Sequence, residues 1–137
     1  MKKVLIMGLP GSGKTTLAKR LIEIVPNSVW FNADKVREQF NDWDFSPEGR
    51  IRQAERMKWL AENCPNEPEI VLCDFVAPTK EIRKIFGPDI LIWMDTISEG
   101  RYEDTNKVFE SPDEYDFRIR EKNSTVYADI ISSSLKI

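Results

Sequence analysis

Gly8-Leu9-Pro10-Gly11-Ser12-Gly13-Lys14-Thr15 is the stretch whose reading decides the fold. It fits the phosphate-loop pattern G-x-x-x-x-G-K-[ST]. Ahead of it, Lys2-Lys3-Val4-Leu5-Ile6-Met7 is an apolar run suited to a buried parallel strand. Behind it, Thr16 to Ile22 carries Leu17 and Leu21 four apart, as one helix face requires. Strand, glycine-rich loop and helix in that order are the context in which the pattern has a mechanism. The loop turns backbone N–H groups toward phosphate oxygens, and the helix N-terminus adds a positive field. Gly8, Pro10, Gly11, Ser12, Gly13, Lys14, Thr15 and Thr16 are therefore expected to bind a nucleoside triphosphate. Lys14 should reach the β and γ phosphates, and the Thr15 hydroxyl should hold Mg²⁺.

The rest of the composition narrows the chemistry around that loop. A chain of 137 residues is expected to make one domain with a real core. Apolar residues at 41% and charged residues at 31% are ordinary for a globular protein. A net charge of −3 offers no basic field and argues against nucleic acid as a partner. No apolar run approaches the ~20 residues of a membrane span, and the strand-like opening leads us to expect no cleavable signal. Cys64 and Cys73 form no metal spacing, and reduced thiols point to the cytoplasm. With no histidine in the chain, a general base must be a carboxylate, a lysine or water.

Further along, apolar runs and amphipathic segments alternate. A helix is predicted over residues 14–25, a strand over 28–32, and a short helix after Asp34, which reads as its N-cap. Ser46-Pro47 opens a long helix to Asn63, with Ile51, Ala54, Met57 and Ala61 inward. Strands follow at 69–74 and 89–95, separated by a helix at 78–86. Residues 97–114 are polar and lid-like. Residues 115–120 suit an edge strand, and 125–136 a closing helix carrying Val126, Ile130, Ile131 and Leu135. Alternation of this kind predicts a parallel sheet with helices on both faces, binding ligands beyond the C-terminal strand ends. Asn32, Asp34, Asp74 and Asp95 all fall at those ends, beside the phosphate loop.

Several residues there have the right chemistry. Asp34, just past the second strand, can orient or accept the proton of an attacking hydroxyl, and Arg37 three residues on can grip an anionic acceptor. As alternatives, the aspartate caps a helix and the arginine is solvated. Asp74 ends an apolar strand in the Walker B manner, expected to serve Mg²⁺ through water or through Thr15. Arg50, Arg52 and Arg56 crowd one helix near Trp43 and Phe45, as phosphate forks beside a base-stacking ring or as a solvated face. Arg101 or Lys107 could close over the transferring phosphoryl group.

Taken together, the motifs resemble those of the adenylylsulfate kinase family. Phe31-Asn32-Ala33-Asp34-Lys35-Val36-Arg37 resembles its L-D-G-D-N-V-R segment. Phe45-Ser46-Pro47-Glu48-Gly49-Arg50 resembles F-S-x-E-D-R, and Asp74 to Arg83 resembles A-F-I-S-P-Y-R-x-x-R. Met94-Asp95-Thr96 is similar to its V-D-T strand end. The chain departs from the pattern at Asn32 for the first aspartate, Ala33 for the glycine and Asp74 for a small residue. The lid is also shortened to residues 101–112. The resemblance implies a P-loop kinase fold with a five-stranded parallel sheet in the order 2-3-1-4-5 and helices on both faces. It implies transfer of the γ-phosphate of ATP, with Mg²⁺, to the 3′-hydroxyl of adenosine 5′-phosphosulfate. Lys14, Asp34 and Arg101 would be catalytic; Asp34, Arg37, Phe45, Arg50 and Lys80 would bind the acceptor; Thr15 and Asp74 would serve the metal. Members of the family are commonly homodimers. Two other readings stand beside this one: a 5′-hydroxyl polynucleotide or nucleoside kinase, and a nucleotide-binding regulatory domain without transfer.

Overall fold

In the computed structural model, which describes residues 1–135, strands and helices alternate along nearly the whole chain. β1 (Lys2–Met7) leads through the glycine-rich loop to α1 (Lys14–Ile24). β2 (Ser28–Asn32), α2 (Ala33–Phe40) and α3 (Pro47–Glu62) follow. After them come β3 (Ile70–Asp74), α4 (Lys80–Phe86), β4 (Ile90–Met94), α5 (Glu103–Val108), β5 (Phe117–Ile119) and α6 (Ser124–Leu135). The sheet is parallel throughout, in the order β2-β3-β1-β4-β5. This is the expected architecture.

The apolar run of β1 explains its central place. Val4 to Met7 are wholly buried, which only a strand covered on both faces can satisfy. Alternation then divides the core in two. Val4 and Ile6 pack with Leu17, Leu21 and Ile131 under α1 and α6, whereas Leu5 and Met7 pack with Ala54, Met57 and Phe86 under α3 and α4. The chain leaves β1 through α1 on one face and leaves β3 through α4 on the other. A crevice opens where those connections diverge, at the C-terminal ends of β1 and β3. The β2–β3 register pairs Asn32 with Asp74 at its rim.

Local chemistry corrects several expectations. Asn32, not Asp34, caps α2: its Oδ1 accepts the Lys35 N–H at 3.0 Å, so Asp34 sits inside the first turn with its carboxylate released from capping. Thr79 caps α4 in the same way, bonding Ile82 N at 3.2 Å and moving the helix start to Lys80. On α6 the buried residues are Ala128, Ile131, Ser132 and Leu135; Val126 and Ile130 are exposed because the sheet faces the other stripe. The expected end of this helix at Lys136 lies outside the described residues. The polar 97–114 segment contains the short helix α5, and the edge strand shrinks to Phe117–Ile119.

Candidate active site

Steric crowding selects glycine at the start of the phosphate loop. A Cβ on Gly8 would lie 2.7 Å from the Met94 carbonyl oxygen and 2.7 Å from Ser12 Oγ, so no side chain fits. Gly13 takes φ 102°, the left-handed region that glycine tolerates, and opens α1 with no side-chain cap and no acidic residue in the first turn. The N–H groups of that turn are thus left for an anion. Thr96 Oγ1 donates to the Ser12 carbonyl at 2.7 Å and ties the loop to the end of β4.

Lys14 folds back over the loop, its Nζ donating to the Gly8 and Leu9 carbonyls at 2.9 and 3.0 Å. Burial pushes its ammonium down to about 8, against the pull of Asp74 and Asp34 and with a push from Arg101. The folded value lies below the ordinary lysine value of 10.5. An unfolded chain therefore binds more protons between the two, and this residue adds stability as pH rises through that window. A bound triphosphate favours the charged form. We expect nucleotide binding to take up a proton above about pH 8, with affinity falling by up to about tenfold per pH unit. Calorimetry of ATP binding from pH 7 to 9.5, in two buffers of different ionisation enthalpy, measures that uptake. Binding with no proton exchange across the range would show that Lys14 does not meet the phosphates.

Asp74 is buried, at 2% exposure, and its two oxygens are fully engaged. Oδ2 accepts from the Thr15 hydroxyl at 3.0 Å, Oδ1 from Trp30 Nε1 at 3.0 Å, and the Asn32 amide donates to both at 3.1 and 3.2 Å. Burial raises its pKa, while the donors from Trp30, Thr15 and Asn32 pull it down. With its proton held by Asp74, the Thr15 hydroxyl lines the cleft as an acceptor. That donor set fits a hard divalent cation shared with phosphate oxygens and water. Among the described residues no three acidic or thiol side chains gather into a protein-only cage.

One cleft of about 830 Å³ joins this centre to the wall opposite. Lys14, Thr15 and Asp74 line it together with Asp34, Arg37, Phe45 and Arg50, and Arg101 borders it from the 97–114 segment. Arg37 is buried and uses Nη1 to hold the carbonyls of Asp42 and Asp44 at 3.0 and 3.2 Å, with its guanidinium 4.3 Å from the Phe45 ring centre. Arg50 donates from Nε to the Phe45 carbonyl at 2.9 Å and from Nη2 to Thr105 Oγ1 at 3.3 Å. Both arginines shape the wall as well as charge it. A smaller recess of about 80 Å³ lies beside the loop, lined by Gly13, Thr16, Met94, Asn123 and Tyr127.

Other expected residues are elsewhere. Lys80 pairs with Asp113 at 2.6 Å and is exposed outside the cleft, because α4 begins only after the chain has left the rim. Asp95 is taken by Arg118 at 2.7 Å and does not line the cleft. Lys107 faces Glu103 at 3.7 Å on the exposed side of α5. Arg52 and Arg56 both pair with Asp42, holding its carboxyl well below the usual carboxylate range, and so brace the loop between α2 and α3. Sequence reasoning missed Trp30, Gln53, Thr105 and Lys122. Gln53 lines the cleft and donates to the Ala33 carbonyl at 3.1 Å, and Lys122 borders both the cleft and the recess. No pattern in the chain marked them; a β2 indole two residues before Asn32, on the same strand face, was the only local signal.

The 97–114 segment is anchored at both ends. A Cβ on Gly100 would lie 3.1 Å from Pro10 Cδ and 3.2 Å from the Pro10 carbonyl, so the bare glycine packs closely on the phosphate loop. Asn106 exchanges hydrogen bonds with the Gly100 backbone at 2.8 and 3.0 Å. At the far end Glu110 N donates to the Pro78 carbonyl at 2.6 Å, and buried Arg83 donates to the carbonyls of Glu110 and Ala77.

Known proteins share this fold. The adenylylsulphate kinase family matches residues 2–89. A probable adenylyl-sulfate kinase of Aeropyrum pernix is 34% identical over 91 residues, covering 60% of this chain and 48% of that protein. The chain thus matches about half the length of that curated relative. Among solved structures, the crystal structure of APE1195 superposes with a TM-score of 0.83 at 23% identity, over 98% of this chain and 94% of that one. The APS kinase of Mycobacterium tuberculosis, solved in complex with AMPPNP and APS, gives 0.79 at 19% identity, over 98% and 96%. At these identities the superpositions show the fold.

Proposed function

The chain belongs to the adenylylsulfate kinase family, and from that premise we propose that it transfers the γ-phosphate of ATP to the 3′-hydroxyl of adenosine 5′-phosphosulfate. The observation that carries the proposal is the single cleft joining the phosphate loop to Asp34 and the Phe45–Arg50 wall. Phosphoryl transfer is mostly positioning and charge stabilisation, so donor and acceptor must share one space.

The loop N–H groups and Lys14 bind the donor phosphates, with the recess beside Gly13 and Tyr127 next to them for the base. Thr15, oriented by Asp74, is the residue that would hold Mg²⁺, which when bound neutralises charge on the phosphate oxygens. Asp34 orients the acceptor hydroxyl and takes up its proton. Arg50 and Arg37 bind the acceptor's anionic groups, and the exposed Phe45 ring offers its adenine a stacking face. Arg101 adds positive charge where the transferring group passes. Residues 97–114 serve as the lid. ATP supply and the free Cys64 and Cys73 suit the cytoplasm.

Labelled γ-phosphate transfer from ATP to adenosine 5′-phosphosulfate, 5′-AMP, nucleosides and 5′-hydroxyl oligonucleotides tests this reading. Arg50→Ala should raise the acceptor KM by roughly tenfold and leave the ATP KM unchanged, because it removes anion binding alone. Arg37→Ala should do the same and also lower the melting temperature, since Arg37 holds the Asp42 and Asp44 carbonyls. Label on oligonucleotides and not on the phosphosulfate would favour a polynucleotide kinase. Label on neither, with ATP still bound, would favour a regulatory domain.

A further inference from the structure

One side chain touches both halves of the cleft. Asn32 and Asp74 are register partners on the adjacent parallel strands β2 and β3. The Asn32 Nδ2 donates to both carboxylate oxygens of Asp74 and reaches Thr15 Oγ1 at 3.3 Å. Its Oδ1 accepts the Lys35 N–H and caps α2, the helix that carries Asp34 in its first turn.

We propose that Asn32 is a positioning residue for phosphoryl transfer, aiming the Asp74 carboxylate at Thr15 with its amide while its carbonyl sets Asp34 against the phosphate loop. This rests on the function proposed above. A buried carboxylate with its lone pairs filled has one orientation; without the amide, Asp74 keeps only the Trp30 and Thr15 donors and can turn away from Thr15. Because the two positions face one another across the strand pair, one carboxylate and one amide satisfy each other there, and either position can carry the charge. The chain satisfies that count by placing Asn32 where the L-D-G-D pattern has aspartate and Asp74 where it has a small residue.

Four variants test the inference: Asn32→Ser, Asn32→Asp, Asp74→Asn and the exchange Asn32→Asp/Asp74→Asn. Melting temperature is read on the nucleotide-free protein, and kcat and KM on the enzyme. Asn32→Ser keeps a capping oxygen but gives up the donors to buried Asp74, so it should melt about 5 °C below the parent. Its kcat should also fall about tenfold with both KM values little changed. Asn32→Asp sets two carboxylates face to face and should melt roughly 5 °C lower. The exchange should recover that loss and regain kcat at least about tenfold over Asn32→Asp. Parental kcat in Asn32→Ser would overturn the proposal. So would an exchange variant whose melting temperature falls by the sum of the two single losses. If the parent transfers phosphate to no acceptor, the melting-temperature cycle still reads the Asn32–Asp74 coupling, so failure of the functional reading is distinguished from failure of this one.

Discussion

Lys14→Ala should lower kcat by about 10²–10³-fold, the scale of removing one preorganised charge from a phosphoryl-transfer site. Among the described residues the side chain bonds the Gly8 and Leu9 carbonyls alone, and it belongs to neither core cluster. Those carbonyls gain access to water once the side chain is gone, so the variant should keep its circular dichroism spectrum and melt within a few degrees of the parent. The loss should persist at saturating ATP, because Lys14 stabilises charge that develops on the transferring group as well as charge already present. Single-turnover rates at saturating ATP measure this. Near-normal turnover would show that the glycine loop is not the donor site.

Asp34→Asn should cut kcat by roughly 10²-fold while changing ATP affinity only a few-fold. The substitution keeps size and polarity but removes the charge and the proton acceptor. In the sequence an N-cap role competed with this reading. In the structure Asn32 caps the helix, so Asp34→Asn costs no cap and should melt close to the parent. Asp34 also helps keep Lys14 protonated, which accounts for the small expected change in ATP affinity. Equal losses in ATP affinity and turnover would instead place Asp34 at the metal.

The fold was legible because its signals are local and repeated. The Gly8–Thr15 loop declares a strand before it and a helix after it, and each later apolar run between polar helices adds a parallel strand. What failed needed contacts between distant residues. Whether Asn32 or Asp34 caps α2 depends on where β2 stops, which its pairing with β3 sets. Whether Lys80 reaches the acceptor depends on Thr79 starting the helix late and on Asp113 lying across from it. The three arginines of α3 look alike in sequence and separate only when Asp42 claims Arg52 and Arg56, leaving Arg50 for the cleft. Trp30 reads as an ordinary strand aromatic until its indole is found on Asp74.

The two anchors of the 97–114 segment have a consequence for how such enzymes diversify. Gly100 is fixed on Pro10 and Glu110 on Pro78, so the chain between them spans a gap whose ends the rest of the molecule holds still. The entropic cost of closing a span between fixed posts grows only logarithmically, about 0.6 kcal/mol for each doubling of its length. Insertions and deletions between these posts should therefore perturb the sheet and phosphate loop very little, and in the lid role proposed above they would rewrite what lies over the acceptor. On that proposal the segment is an exchangeable cassette, and acceptor preference becomes a trait that length alone can change.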